Sequence, residues 1–97
     1  MRLIHIETDE EVTSVLERLK ETEANQVALV VSRGALLLQS VVNLRLLARE
    51  AKKQKKEVVI VTTDRIGRNL ASQAGFSVFT ELKGKLPIGE VIDQTDE

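Results

Sequence analysis

Three short segments carry the residues best able to do polar chemistry. They are Ser32-Arg33-Gly34, Thr62-Thr63-Asp64-Arg65 and Gly67-Arg68-Asn69. The first two directly follow continuous apolar runs at 27–31 and 58–61. If those runs are strands, the segments lie at their carboxyl ends, where open α/β sheets bind ligands near a reversal of strand order. Amides at helix starts and the guanidinium groups of Arg33, Arg65 and Arg68 would suit a phosphate. A phosphate-bearing small molecule or nucleotide over Ser32, Arg33, Gly34, Thr63, Asp64, Arg65 and Arg68 is therefore one expectation. The same residues have a plainer use, because Ser32, Thr63 and Asp64 are good helix caps. Neither G-x-x-x-x-G-K-[ST] nor G-x-G-x-x-G occurs, so no motif specifies a nucleotide.

Other reactive groups are sparse. Asp64 ends an apolar run, a position used elsewhere for metals or phosphoryl transfer. A phospho-accepting receiver is not expected: the acidic residues at 9–11 fit a first helical turn, and no fifth strand with a lysine follows. His5 is the single histidine, and the sequence places no carboxylate or hydroxyl beside it. It reads as structural or exposed. There is no cysteine, which excludes disulfides, thiolate zinc sites and thiol chemistry. No catalytic residues, metal site or cofactor are expected, and the chain reads as non-enzymatic. Lys52, Lys53, Lys55 and Lys56 form a basic cluster that reads as a solvated helix end in a favourable dipole position.

The elements that position these residues follow from periodicity. Residues 2–7 read as a strand. Thr8 and Glu11 have capping-box spacing, and Val12, Val15, Leu16 and Leu19 form one helical stripe running to about residue 21. Residues 27–31 read as a strand covered on both faces, and residues 35–54 as one long helix entered from Ser32. A strand at 58–61 leads into a short helix capped by Thr63 or Asp64, with Ile66, Leu70 and Ala74 on its inner side. Gly75 stops that helix, and residues 76–80 read as a fourth strand. Gly84, Pro87 and Gly89 interrupt the chain beyond that strand, and residues 93–97 read as a frayed polar tail.

The β-α-β-α-β-α-β alternation predicts a small Rossmann-like α/β domain with a four-stranded, mainly parallel sheet and three helices. A 2-1-3-4 order in three layers is favoured over 1-2-3-4, which would leave one sheet face without helices. Residues 1–82 form the domain and residues 83–97 a partly flexible extension.

Composition agrees with one domain. The chain has 97 residues, 42% of them hydrophobic, and Phe76 and Phe79 are its only aromatics. Two rings make a poor platform for stacking bases, and a net charge of −1 disfavours a nucleic-acid partner. The balance hides an asymmetry, with acid concentrated at 7–23 and base at 45–56. No apolar stretch approaches the ~20 residues of a membrane span, and the cytoplasm is the expected location.

The long helix holds the most informative pattern. Leu36, Leu37, Val41, Leu44, Leu47, Ala48 and Ala51 fall on one arc, wide enough to cover a sheet. Leu38, Val42 and Leu46 form a separate stripe among Arg45, Arg49 and Lys53. Three aliphatic side chains on a polar face predict an interface, either in a homodimer or with another protein. Burial there would yield ~1.5–3 kcal/mol per side chain before entropy costs. Leu38, Val42 and Leu46 would be the anchors, with Arg45 and Arg49 as the rim. The alternative is cover from the chain itself, by residues 82–92.

A family pattern runs through the same region. Val31-Ser32-Arg33-Gly34, Leu44-Arg45-Leu46-Leu47, Val61-Thr62-Thr63-Asp64, Arg68, Ala71, Ala74-Gly75 and Val78-Phe79 carry it. The chain resembles the Rossmann-like N-terminal cytoplasmic domain of poorly characterised bacterial envelope proteins, some labelled baseplate J-like. The resemblance implies an α/β fold and a cytoplasmic docking role. It supplies no catalytic residues.

Overall fold

The computed structural model describes residues 1–80, together with the backbone of residues 85–86 and 89–90. The expected tail at 93–97 and most of the extension at 83–97 lie outside the described residues. Strands β1 (Arg2–Ile6), β2 (Gln26–Val31), β3 (Glu57–Val61) and β4 (Ser77–Phe79) form one parallel sheet in the order β1-β2-β3-β4. Helices α1 (Val12–Glu21), α2 (Val41–Lys53) and α3 (Arg65–Gln73) connect them. Strands β5 (Lys85–Leu86) and β6 (Gly89–Glu90) pair antiparallel in a second, two-stranded sheet.

The expected 2-1-3-4 order is thus corrected to 1-2-3-4. With crossovers of one hand, this order carries every helix to the same face of the sheet. The packing agrees. Ile4, Leu29, Ile60 and Val78 face one another across the sheet in one register row. Their face packs against Val15 and Leu19 of α1, Leu44, Leu47 and Ala51 of α2, and Ala71 of α3. The opposite face carries Leu3, Ala28, Val59 and Val61, packed with Met1, Val30 and Phe79, and no helical residue joins that cluster. Among the described residues the fold therefore has two layers, where three were expected. Strands apolar on both faces leave the order undetermined by sequence, since either topology fits such runs.

The long helix is also corrected. Residues 35–54 do not form one rod. A single 3₁₀ turn (Leu36–Gln39) comes first, and Ser40 adopts an extended backbone before α2 begins. The Ser40 hydroxyl caps α2 by accepting the Asn43 amide at 3.2 Å. The break resets the helical phase. Leu38 is 2% exposed and belongs to the core, while Leu36, expected inside, is exposed. The Leu36 amide donates to the Thr8 carbonyl at 2.8 Å, tying this turn to the end of β1.

Two further expectations change. The Thr8–Glu11 capping box does not form: Glu11 is the N-cap of α1 and makes no side-chain cap bond. Ile66 is 71% exposed, and Gly67 takes the inner position expected for it. The reason is close approach. A Cβ on Gly67 would lie 2.7 Å from Leu38 Cδ1, so only glycine lets the 3₁₀ turn seat on α3.

Candidate functional site

The residues at the carboxyl end of β2 and β3 come together as the sequence suggested, but around an internal anion. Asp64 is the N-cap of α3, and its Oδ1 accepts the Gly67 amide at 2.7 Å. Its Oδ2 accepts the Gly34 amide at 2.8 Å, across 30 residues of chain. One carboxylate therefore staples the β2 loop to the β3 loop. The Gly34 amide, and next the Gly67 amide, hold the Asp64 carboxyl below its ordinary pKa, and Arg33 adds to the effect.

This arrangement bears directly on the expected phosphate site. Gly34 and Gly67 offer the amides an incoming anion would use, and Asp64 already engages both. Ser32, Arg33, Thr63 and Arg65 are exposed. Ser32 contributes its backbone carbonyl to a turn, accepting from the Ala35 amide at 3.2 Å. Arg68 is half-buried, and its Nη1 donates to the Thr62 carbonyl at 3.5 Å, so this guanidinium also serves the loop. The 1-2-3-4 order removes the strand-order reversal that makes a binding crevice in open sheets.

A second carboxylate was missed by sequence reading. Glu10 folds back toward β1. It accepts the Glu7 amide at 3.0 Å, the Ser14 hydroxyl at 2.7 Å and Arg18 Nη1 at 2.9 Å. Arg18 Nη1 also donates to the His5 carbonyl at 2.8 Å. Burial pushes the Glu10 carboxyl up, but the bonds from Ser14, the Glu7 amide and Arg18 outweigh it and hold it below the ordinary value. Three consecutive acids gave no sign of which one would turn inward. Beside this network lies a pocket of about 220 Å³ between the first turn of α1 and the 3₁₀ turn, lined by Glu11, Thr13, Leu36, Gln39 and Asn43 among others. It holds no cluster of groups fit to bind a metal. Sequence gave no signal for it, because it exists only once those two turns dock.

The His5 side chain is exposed, as expected for a residue without a catalytic neighbour. Lys56 departs from the solvated role expected of the basic cluster. Its ammonium donates to the Thr22 carbonyl at 2.8 Å and the Ala24 carbonyl at 3.0 Å.

The outer face of α2 keeps four of the five residues expected at the interface. Val42, Arg45, Leu46 and Arg49 line a shallow open depression. Val42 is 70% exposed, in the first turn of the helix. Leu46 is half-buried, and Arg45 and Arg49 are exposed. Leu38, the fifth, is withdrawn into the core. Neither arginine has a carboxylate at ion-pair distance among the described residues, and Glu50, the one acid of α2, pairs with Lys53 at 3.3 Å. Among the described residues the exposed large hydrophobics are Leu36, Val42 and Ile66, the first in the 3₁₀ turn and the others in the first turns of α2 and α3. Among the described residues no helix is long and apolar enough to cross a membrane. Comparison with known proteins adds no relative: no family model, curated protein or solved structure matches the chain.

Proposed function

We propose that the chain is a non-enzymatic protein-docking module that works through the outer face of α2. One observation carries the reading. Val42 is 70% exposed on a helix whose inner face is already satisfied by the sheet, beside Leu46 and flanked on one side by two arginines that the fold does not use. An apolar pair rimmed by arginine is the composition of a small interface core. At the carboxyl end of the sheet Glu10, Arg18, Asp64 and Arg68 serve the loops themselves, whereas α2 presents two exposed arginines beside an apolar pair. The resemblance to the Rossmann-like cytoplasmic domain of bacterial envelope proteins belongs to the same reading, since docking in the cytoplasm is what that resemblance implies.

Site-specific photo-crosslinking tests this. A photoreactive residue at position 42 should give one discrete adduct in the native cell, and the same residue at position 20, on α1, should give none. Sedimentation over a wide concentration range identifies a second copy as the adduct if that is what forms. A chain that stays monomeric and gives no adduct at position 42 removes the reading.

A further inference from the structure

We infer that the partner seated on α2 is an acidic amphipathic segment, with apolar side chains on Val42 and Leu46 and carboxylates on Arg45 and Arg49. This rests on the docking reading above and names the chemistry of its partner.

The pattern on the face sets the requirement. Val42 and Leu46 are four residues apart, as are Arg45 and Arg49. Each pair makes one short line along the helix, with side chains about 5–6 Å apart. The face is thus an apolar line beside a cationic line. A complementary helix needs an aliphatic line at the same spacing and a carboxylate line next to it. Guanidinium groups favour such a partner, because they bind carboxylates through two parallel hydrogen bonds.

Charge disfavours the simplest competitor, a second copy of this chain. A two-fold axis through this face would bring Arg45 and Arg49 of both copies into one patch. The one carboxylate of α2, Glu50, pairs with Lys53 at 3.3 Å and with neither arginine. Four like charges would then sit closer than the ~8 Å screening length of physiological salt. Beyond the patch, Lys52 extends the positive surface along the last turn. Nucleic acid would satisfy the arginines but leave Val42 and Leu46 without a partner, and the chain has no Trp or Tyr with which to stack bases.

Two labelled synthetic helical peptides provide the test. They share one aliphatic stripe; one carries glutamate beside it and the other lysine. A single-stranded oligonucleotide is the third probe. The glutamate peptide should bind saturably, with amide shifts confined to α2, and should weaken as salt rises. Arg45→Gln with Arg49→Gln should weaken it about tenfold, and Val42→Ser should weaken it independently of salt. Both variants change exposed side chains, so the unaltered fold is checked by the remaining amide shifts. The inference is overturned if the glutamate peptide does not saturate, if the lysine peptide binds equally, or if the oligonucleotide binds in preference. Self-association lost on Val42→Ser would keep the docking reading and overturn the acidic partner. No adduct at position 42, no self-association and no peptide binding would overturn both.

Discussion

At the carboxyl end of the sheet, Glu10 gathers the Glu7 amide, the Ser14 hydroxyl and Arg18, and Asp64 gathers the amides of Gly34 and Gly67. At the amino end, the Lys56 ammonium binds the carbonyls of Thr22 and Ala24, where α1 has just finished. The first end is where helices begin, with amides in excess, and the second is where they finish, with carbonyls in excess. Each end is closed by the charge its helix termini favour. The comparison sorts charged side chains into two groups. Glu10, Arg18, Lys56 and Asp64 hold turns, whereas Arg45, Arg49 and Arg65 make no side-chain bond among the described residues; Arg45 and Arg49 also line one depression with Val42 and Leu46, and the proposed docking face therefore lies on α2.

The sharpest way to break this comparison is Glu10→Ala. Glu10 is the more deeply buried of the two carboxylates, and its loss strands Arg18, the Ser14 hydroxyl and the Glu7 amide together. The cost should be about 2–4 kcal/mol of unfolding free energy, measured by urea titration. A loss near zero would show that Glu10 does not hold the turn. Acid should act in the same direction. Both Glu10 and Asp64 have carboxyl pKa values lowered on folding, so their stabilisation is complete above the unfolded values and is lost as pH falls through the folded ones. The Glu10→Ala, Asp64→Ala double variant should therefore show a flatter loss of stability below about pH 4.5 than the parent chain.

Asp64→Ala comes next, at about 1–2 kcal/mol, since it removes a cap and the link to Gly34. It also probes the expected anion site. With the carboxylate gone, the Gly34 and Gly67 amides become available beside Arg33. Inorganic phosphate should then raise the melting temperature of the variant and leave the parent chain unaffected. Phosphate protection of the parent would reverse the conclusion that Asp64 fills its own site. Lys56→Met should cost about 1 kcal/mol, because the two carbonyls it binds keep access to water once the ammonium is removed. No change in the melting curve would mean that charge at the amino end is incidental.

Much of this was legible in the sequence, and the misses share a cause. Local signals located four strands, three helices, a cap at Thr63 or Asp64 and the Gly75 stop. They also located Val42, Leu46, Arg45 and Arg49 on the outer side of α2. The readings that failed needed information from distant residues. Strand order had no local signal, because β2 and β3 are apolar on both faces. The run Leu36-Leu37-Leu38 carries no helical phase, so nothing local marked the break at Ser40. Leu38 went inward because Gly67, 29 positions later, leaves space for it. At the anion site the donors were identified, but Asp64, whose carboxylate accepts from Gly34 and Gly67, was read only as a cap.

The smallest effect concerns how the helices finish at the amino end. Helices α2 and α3 close with the same backbone motif. In α3, the Gly75 amide donates to the Ser72 carbonyl and the Phe76 amide to the Ala71 carbonyl. In α2, the Lys55 amide donates to the Lys52 carbonyl and the Lys56 amide to the Ala51 carbonyl. The pivot residue has positive φ in both, +103° at Gly75 and +58° at Lys55. A side chain there costs roughly 1 kcal/mol relative to glycine, offset in part by the greater freedom glycine has in the unfolded chain. Lys55→Gly should therefore stabilise the chain by about 0.5 kcal/mol, and Gly75→Ala should destabilise it by more than that, because its φ lies further outside the left-handed well. If Lys55→Gly instead destabilises, the Lys55 ammonium contributes more to the end of α2 than its backbone costs. Lys55 would then join Lys56 among the charges that close the amino end.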